Sequence, residues 1–177
     1  MSNLVAAFDL ATVTGACDGH PGAIPRCWTW RLNTVEGRAQ RLAMLADRLD
    51  QYLAKAKPCA VFYEAPLPYS VGMRIGMRDD TLSFLRSTIA ILETSTIRAG
   101  VPRLEAINVQ DARRHLVGRG RIPSGEGKAA VLRMCKVLRW PVSNLDESDA
   151  AAIWALGCTK INPRMGYAST PLFSAAS

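Results

Sequence analysis

Residues 4–19 read LVAAFDLATVTGACDG, and this stretch decides the predicted fold. Its apolar start, from Leu4 to Phe8, is typical of a strand inside a sheet, and the strand ends on the acidic residue Asp9. Small and turn-forming residues follow, and a second strand is predicted to begin near Gly15. Because a charge at the end of a central apolar strand is costly unless a cation lies against it, Asp9 predicts a metal site.

The same layout recurs at residues 59–64, CAVFYE, where an apolar strand ends on Glu64 and Pro66 soon follows. One predicted helix, residues 36–56, precedes this strand, with an apolar residue recurring every three or four positions. Strands joined by a single crossover helix are usually parallel and often adjacent. Asp9 and Glu64 are therefore expected at the same edge of the sheet, where ligands bind in open α/β folds.

Two further acids lie at the start of the last predicted helix, which runs from about residue 146 to Lys160 and can be capped by Asn144 or Asp146. Asp146 and Asp149 are three residues apart, which puts both side chains on one face of a helix. Four carboxylates together predict an oxygen-rich site for Mg²⁺ or Mn²⁺ rather than for zinc. The competing interpretation gives each acid an ordinary role as a turn residue, a strand end or a complement to the helix dipole.

The remaining elements complete an α/β chain. Further strands are predicted at residues 15–18, 26–32 and 103–109, and further helices at 80–99, 110–117 and 127–139. Residues 67–79 are predicted to form a loop or irregular segment. An antiparallel meander followed by crossover units predicts a five-stranded mixed sheet flanked by helices. One domain is expected over residues 1–160, with a poorly ordered tail over 161–177.

Basic residues outnumber acidic ones by 22 to 15, and the net charge of +7 suits a polyanionic partner or simply aids solubility. The candidate nucleic-acid contacts lie after Glu64 and around the glycine-rich segment 118–128, GRGRIPSGEGK. They are Arg74, Arg78, Arg113, Arg114, Arg119, Arg121 and Lys128. The segment lacks the residue order of a P-loop, so it does not predict nucleotide binding. A solvated basic surface is the alternative for any one of these residues.

The cysteines and apolar runs indicate an intracellular protein. Five cysteines, with no CxxC spacing among them, predict neither a disulfide framework nor a metal site. Cys59 and Cys135 fall among apolar residues and are predicted to be buried. The longest apolar run, residues 150–156, is too short to span a bilayer, and the start of the chain does not resemble a signal peptide. A cytoplasmic location without membrane contact is the expectation.

Three stretches resemble the acidic motifs of RuvC-type Holliday junction resolvases, which belong to the RNase H-like nuclease superfamily. They are FDLATVTG, VFYEAP and LDESDAAAIWAL, and phage versions of the family are the most similar. The resemblance holds in order and spacing over about residues 4–158. DESDAAAIW after a helix containing Gly-Lys is the more specific motif, because actin-like ATPases share the Asp-x-x-x-x-Thr-Gly pattern of the first stretch.

The resemblance implies an RNase H-like fold and a Mg²⁺-dependent endonuclease, active with Mn²⁺ as well, that cuts four-way or other branched DNA as a homodimer. It implies that residues 69–86 and 113–128 approach the DNA. The implied catalytic and metal-binding carboxylates are Asp9, Glu64, Asp146 and Asp149, and the implied catalytic basic residue is Lys128. Two alternatives stay open, an RNase H-like nuclease acting on RNA or RNA–DNA hybrids, and a non-catalytic module that binds branched nucleic acid.

Overall fold

A computed structural model describes residues 3–118 and 125–164. The strands are β1 Val5–Asp9, β2 Val13–Gly19, β3 Arg26–Arg31, β4 Ala60–Glu64 and β5 Arg103–Ile107. The helices are α1 Arg38–Ala56, α2 Tyr69–Arg74, α3 Asp79–Arg98, α4 Val109–Val117, α5 Gly127–Val137 and α6 Leu145–Ile161. No helix within these described ranges is both long and apolar enough to cross a membrane. Most of the predicted tail, from residue 165 onward, lies outside the described residues.

The five strands form one mixed sheet in the order β3-β2-β1-β4-β5. β1, β2 and β3 pair antiparallel, whereas β4 pairs parallel with both β1 and β5. This confirms the prediction of an antiparallel meander continued by parallel crossovers. β1 lies at the centre with a partner on each side, which explains why all five of its residues are buried.

Helices cover both faces of the sheet, and alternate residues of β1 supply the two cores. Ala6 and Phe8 pack on the face covered by α1 and α3, with Leu45, Leu49 and Leu92 of those helices. The other face, which includes Val5 and Ala7 of β1, packs on α4, α5 and α6. This period of two along a strand assigns Asp9, at the next odd position, to the face covered by α6.

The first turn of helix α6 lies directly against β2, and small residues make up much of the buried part of the helix. Residues 147–155 are all buried, and three consecutive alanines, Ala150 to Ala152, belong to this run. A Cβ atom placed on Gly15 of β2 would lie 2.1 Å from the Asp146 carbonyl oxygen. The first turn of α6 therefore needs a glycine at residue 15, and this contact fixes the position of the acids that the turn carries.

The structure differs from the sequence prediction between residues 67 and 79. This segment was expected to be irregular because of its glycines, but Tyr69–Arg74 forms the short helix α2. Gly72 is buried in α2, and a Cβ there would lie 2.5 Å from a methyl group of Leu82 on α3. The glycine thus allows close packing of two helices, and it does not break the helix that contains it.

Candidate active site

Asp9 and Glu64 lie side by side at the carboxyl-terminal edge of the sheet. β1 and β4 are parallel neighbours, and Phe8 lies opposite Tyr63, so the next residue of each strand is an acid. Asp9 is only 7% exposed and Glu64 is half-buried. The Glu64 carboxyl group lies within hydrogen-bonding reach of Asp9. The two acids therefore lie together at one edge of the sheet, as the sequence predicts.

Burial raises the pKa of Asp9 to about 9, and the neighbouring carboxylates add to the effect. Glu64 contributes through a hydrogen bond and its negative charge, and Asp149 through its charge, while the Lys128 ammonium acts in the opposite direction. Without a further cation, Asp9 therefore holds a proton at neutral pH. A carboxyl group placed at this energetic cost at a sheet edge is typical of a functional site.

A side-chain cap fixes the start of α6, and thereby the positions of the acids in its first turns. The side chain of Asn144 accepts a hydrogen bond of 2.9 Å from the Glu147 backbone N–H, so Asn144 is the N-cap. The Lys128 ammonium lies 3.8 Å from Asp146 and 3.2 Å from Asp149, which confirms that these two acids share one face of the helix. Asp149 is fully buried, whereas Asp146 is partly exposed.

A buried guanidinium holds Asp149. Arg113 on α4 donates from Nε and Nη2 to the two carboxylate oxygens of Asp149, at 2.9 and 2.7 Å. Burial alone would lower the pKa of Arg113, but this paired contact and the nearby acids raise it. The pKa of Lys128 is also raised, because Asp149 and Asp9 outweigh its burial. Both cations therefore stay charged beside the Asp149 carboxylate.

Glu147 lies on a different side of α6 and has a structural role that the sequence did not reveal. It is 5% exposed, and its carboxylate accepts from the Thr29 hydroxyl at 2.7 Å, the Asn144 amide at 3.0 Å and the Ser143 backbone N–H at 2.7 Å. These contacts tie the start of α6 to β3. Glu and Gln are common three residues after an N-cap, and that spacing was the available signal.

The donor set suits a divalent metal of the magnesium type. Among the described residues, the four carboxyl groups face two cations, Arg113 and Lys128, so negative charge is left uncompensated there, where Asp9 already carries a raised pKa. Within residues 3–118 and 125–164, no three acidic, histidine or cysteine side chains are arranged to hold one ion together. Both carboxylate oxygens of Asp149 accept hydrogen bonds from Arg113.

A second basic feature lies beside this edge, and two of its three arginines, Arg38 and Arg41, were not among the residues predicted from the sequence. Arg38 and Arg41 at the start of α1, with Arg78 before α3, line a cleft of about 500 Å³ that reaches Thr12 in the loop after β1. Among the described residues that line the cleft, these three arginines face one acidic residue, Asp80. Arg38 and Arg41 lie 40 and 37 positions before Arg78 in the sequence, so no local pattern could indicate that the three residues meet.

The predicted nucleic-acid contacts fall into three groups. Arg74, Arg78 and Arg114 are exposed, and Arg114 is paired with Asp111 at 3.3 Å. Arg113, only 11% exposed at its side chain, and Lys128, 44% exposed, belong to the acid cluster. Arg119 and Arg121 lie outside the described residues. A role in binding DNA stays a prediction for all of these residues.

Replacing Gly15 by alanine is expected to lower stability and reduce activity together. The added methyl group would overlap the Asp146 carbonyl, so α6 must move away from β2 and carry Asp149 away from Asp9. Overpacking of this kind costs about 1–3 kcal/mol. Gly157→Ala is the matched control, because Gly157 lies on the same helix about two turns after Asp149. Its added methyl group would overlap the Phe62 ring of β4. Thermal unfolding should show a lower Tm for both variants, but only Gly15→Ala should have a lower cleavage activity per folded molecule. Equal activity in the two variants would contradict the proposed role of Gly15.

Comparison with known proteins supports the fold. A scan against protein-family models finds no match, and neither does a search of the curated proteins. Among solved structures, Thermus thermophilus RuvC is similar with a TM-score of 0.66 and 20% identity, covering 93% of this chain and 98% of that one. RuvC of the same organism in complex with a Holliday junction substrate has a TM-score of 0.65 and 18% identity, with coverages of 94% and 98%.

A third similar structure is the yeast mitochondrial Holliday junction resolvase Ydc2, with a TM-score of 0.59 and 12% identity. The match covers 89% of this chain and 79% of that chain. At these identities the likeness concerns the course of the backbone. This chain, with its five-stranded mixed sheet and flanking helices, therefore has the RuvC-like fold of the RNase H-like class.

Proposed function

We propose that this protein is a divalent-metal-dependent endonuclease that cuts phosphodiester bonds in four-way or other branched DNA. The observation that carries the proposal is the pairing of buried Asp9 with half-buried Glu64, facing Asp149, at the edge of a sheet with the RuvC-like fold. One similar structure is RuvC bound to a Holliday junction substrate, and another is a Holliday junction resolvase. These descriptions concern the similar proteins, and they support branched DNA as the substrate class proposed here.

Asp9, Glu64, Asp146 and Asp149 would hold Mg²⁺ or Mn²⁺. Bound divalent ions supply charge stabilisation for the attacking and leaving oxygens of a phosphodiester. The chain's own contribution is to place carboxylates on two rigid strands and one capped helix, so that little reorganisation is needed. Asp9 must give up the proton that its raised pKa retains before it can act as a ligand.

Arg113 and Lys128 are proposed to orient Asp149 and to balance its charge. Arg113 holds both Asp149 oxygens, and Lys128 contacts Asp146 and Asp149 while 44% of its side chain is exposed. Lys128 is thus the cation of the cluster that a phosphate in solvent can reach. We propose it as the basic residue of the catalytic site, which agrees with the role that the sequence resemblance implies.

The partner and cellular setting are further parts of the proposal. A four-way junction presents two strands to be cut, so a twofold homodimer is the assembly proposed. We also propose a single nuclease domain over residues 1–160 that works in the cytoplasm, and a place among the phage-type resolvases.

A panel of substrates tests this function. The protein is mixed with Mg²⁺ and, separately, a four-way junction, a linear duplex of the same arms, an RNA–DNA hybrid and a structured RNA. Paired nicks confined to the junction are expected. Preferential cutting of the hybrid or the RNA would instead select the RNase H-like alternative. Junction binding without cutting in either Mg²⁺ or Mn²⁺ would select the non-catalytic binding module.

Neutralising Arg38 and Arg41 together is expected to weaken junction binding and to flatten its dependence on salt. The logarithm of the association constant falls with the logarithm of the salt concentration, and each lost phosphate contact makes this slope less steep by about 0.9. The double variant Arg38→Gln with Arg41→Gln should therefore make it less steep by about 1–2. The matched control is Lys55→Gln with Arg98→Gln, which removes the same charge from the opposite ends of α1 and α3. Fluorescence anisotropy at several salt concentrations measures both slopes. An unchanged slope in the Arg38→Gln with Arg41→Gln variant would show that this cleft does not contact the DNA phosphates.

A further inference from the structure

Two cysteine side chains lie against each other in the β2–β3 hairpin. Cys17 and Cys27 are directly opposite residues of the antiparallel pair, and their sulfur atoms are 3.1 Å apart. Directly opposite residues of antiparallel strands have Cα atoms about 4.5–5.5 Å apart. This lies within the range of about 4.4–6.8 Å found across disulfides. The backbone therefore already has the spacing that a disulfide needs.

The two thiols differ in their access to solvent. Cys17 is fully buried in the core beneath α6, and burial raises the pKa of its thiol, as does the neighbouring Cys27. Cys27 is half-buried on the edge strand β3, and its side chain packs against the same α6-covered core as Cys17. A reagent in solvent therefore reaches Cys27 first, and Cys17 can react only with a group already attached to Cys27.

We propose that Cys17 and Cys27 form a reversible disulfide when the protein meets a small-molecule disulfide such as glutathione disulfide. The Cys27 thiol loses its proton and attacks one sulfur of the oxidant, and the displaced half leaves as a thiol after taking up a proton. Cys17 then loses its proton and attacks the Cys27 sulfur of the mixed disulfide, releasing the second half as a thiol. The two cysteines lose two protons and two electrons, and the oxidant is reduced to two thiols.

The bond would stabilise the part of the fold that supports the acidic site. It closes the loop between residues 17 and 27, and thereby restricts the unfolded chain more than the folded one. It also fixes β3, whose Thr29 donates a hydrogen bond to Glu147 at the start of α6. The oxidised protein is therefore expected to have a Tm higher by about 5 °C or more than the reduced protein.

Peptide mapping of the full chain tests the proposal. The reduced protein is incubated with glutathione disulfide under native conditions and quenched with acid, and the remaining thiols are alkylated after denaturation. Trypsin cuts after Arg26, so Cys17 and Cys27 fall in separate peptides, residues 1–26 and 27–31. A cross-link between these two peptides that dithiothreitol reverses is expected. In Cys17→Ser, glutathione should instead remain attached to Cys27.

Cys59→Ser is the matched control, because Cys59 is also half-buried but lies next to β4, outside the hairpin. This variant should keep the cross-link. Full alkylation of both Cys17 and Cys27 in the oxidant-treated wild type would overturn the proposal, and so would a cross-link between a different pair. A cross-linked protein with an unchanged or lower Tm would contradict the claim that the bond fits the hairpin without distortion.

Discussion

Asp9→Asn is expected to abolish DNA cleavage and to leave junction binding intact. Asp9 is the buried acid that contacts Glu64 and faces Asp149, so its loss removes the carboxylate shared by both sides of the proposed metal site. Loss of a group that stabilises developing charge lowers the rate by about 10²- to 10³-fold, and loss of a metal ligand is expected to exceed this. Gel-based cleavage in Mg²⁺ and anisotropy in the absence of metal measure the two properties separately.

The same variant should be more stable than the wild type, by an amount that grows with pH. The folded pKa of Asp9 is about 9, above its ordinary value of 3.8, so the folded protein retains a proton that the unfolded chain releases. The contribution of Asp9 to the free energy of unfolding is therefore fully present below about pH 4, and it is lost as the pH rises from 4 towards 9. Asparagine has no such dependence. Each kcal/mol gained should raise the Tm by about 2–4 °C in a chain of this size.

Two results would contradict this description of Asp9. One is Mg²⁺-dependent cleavage retained in Asp9→Asn, which would place the chemistry elsewhere. The other is a Tm difference between variant and wild type that stays constant from pH 4 to pH 9, which would mean that Asp9 does not hold a proton in the metal-free protein. Asp47→Asn is a suitable control, because Asp47 is an exposed acid on α1.

Asp149→Asn should also abolish cleavage, whereas Glu147→Gln should preserve it per folded molecule. Asp149 faces Lys128 and Arg113 in the acid cluster, but Glu147 faces Thr29 of β3. Glu147→Gln should still affect stability, because the Glu147 carboxylate accepts hydrogen bonds from three donors. In the variant, the NH2 group of glutamine would face one of these donors and could not accept from it. That mismatch should lower stability by about 1–3 kcal/mol.

The two substitutions are matched in chemistry and lie two positions apart on one helix, so they separate the catalytic face of α6 from its structural face. Single-turnover cleavage rates, corrected for the folded fraction by thermal unfolding, give the comparison. Equal losses of activity would mean that the site does not lie on the Asp146–Asp149 face. A stable Glu147→Gln would show that the contacts between α6 and β3 contribute little.

Local sequence patterns were enough to predict the five strands, the long helices and the edge at which Asp9 and Glu64 meet. Both acids end apolar strands, and a single crossover helix leaves few topologies open. The spacing of Asp146 and Asp149 correctly predicted a shared face, since the periodicity of a helix is fixed. α2 was missed because Gly72 looks like a breaker in sequence, although its absent side chain makes room for Leu82.

Contacts between distant parts of the chain could not be predicted in this way. Arg113 was expected on a basic surface, but α4 packs against α6 and turns its guanidinium onto Asp149. Likewise, Cys17 meets Cys27 only because of the β2–β3 register, and a shift of one residue would put the two thiols on opposite faces of the sheet. Registers and helix packing of this kind depend on the whole core.

The most direct test of the proposed metal site is an anomalous difference map from crystals soaked in Mn²⁺ at a concentration that supports junction cleavage. The proposal predicts Mn²⁺ peaks at the sheet edge, within coordination distance of the Asp9 and Glu64 carboxylates and of at least one of Asp146 and Asp149. Ordered Mn²⁺ found only elsewhere on the protein, with no peak beside Asp9, would contradict it.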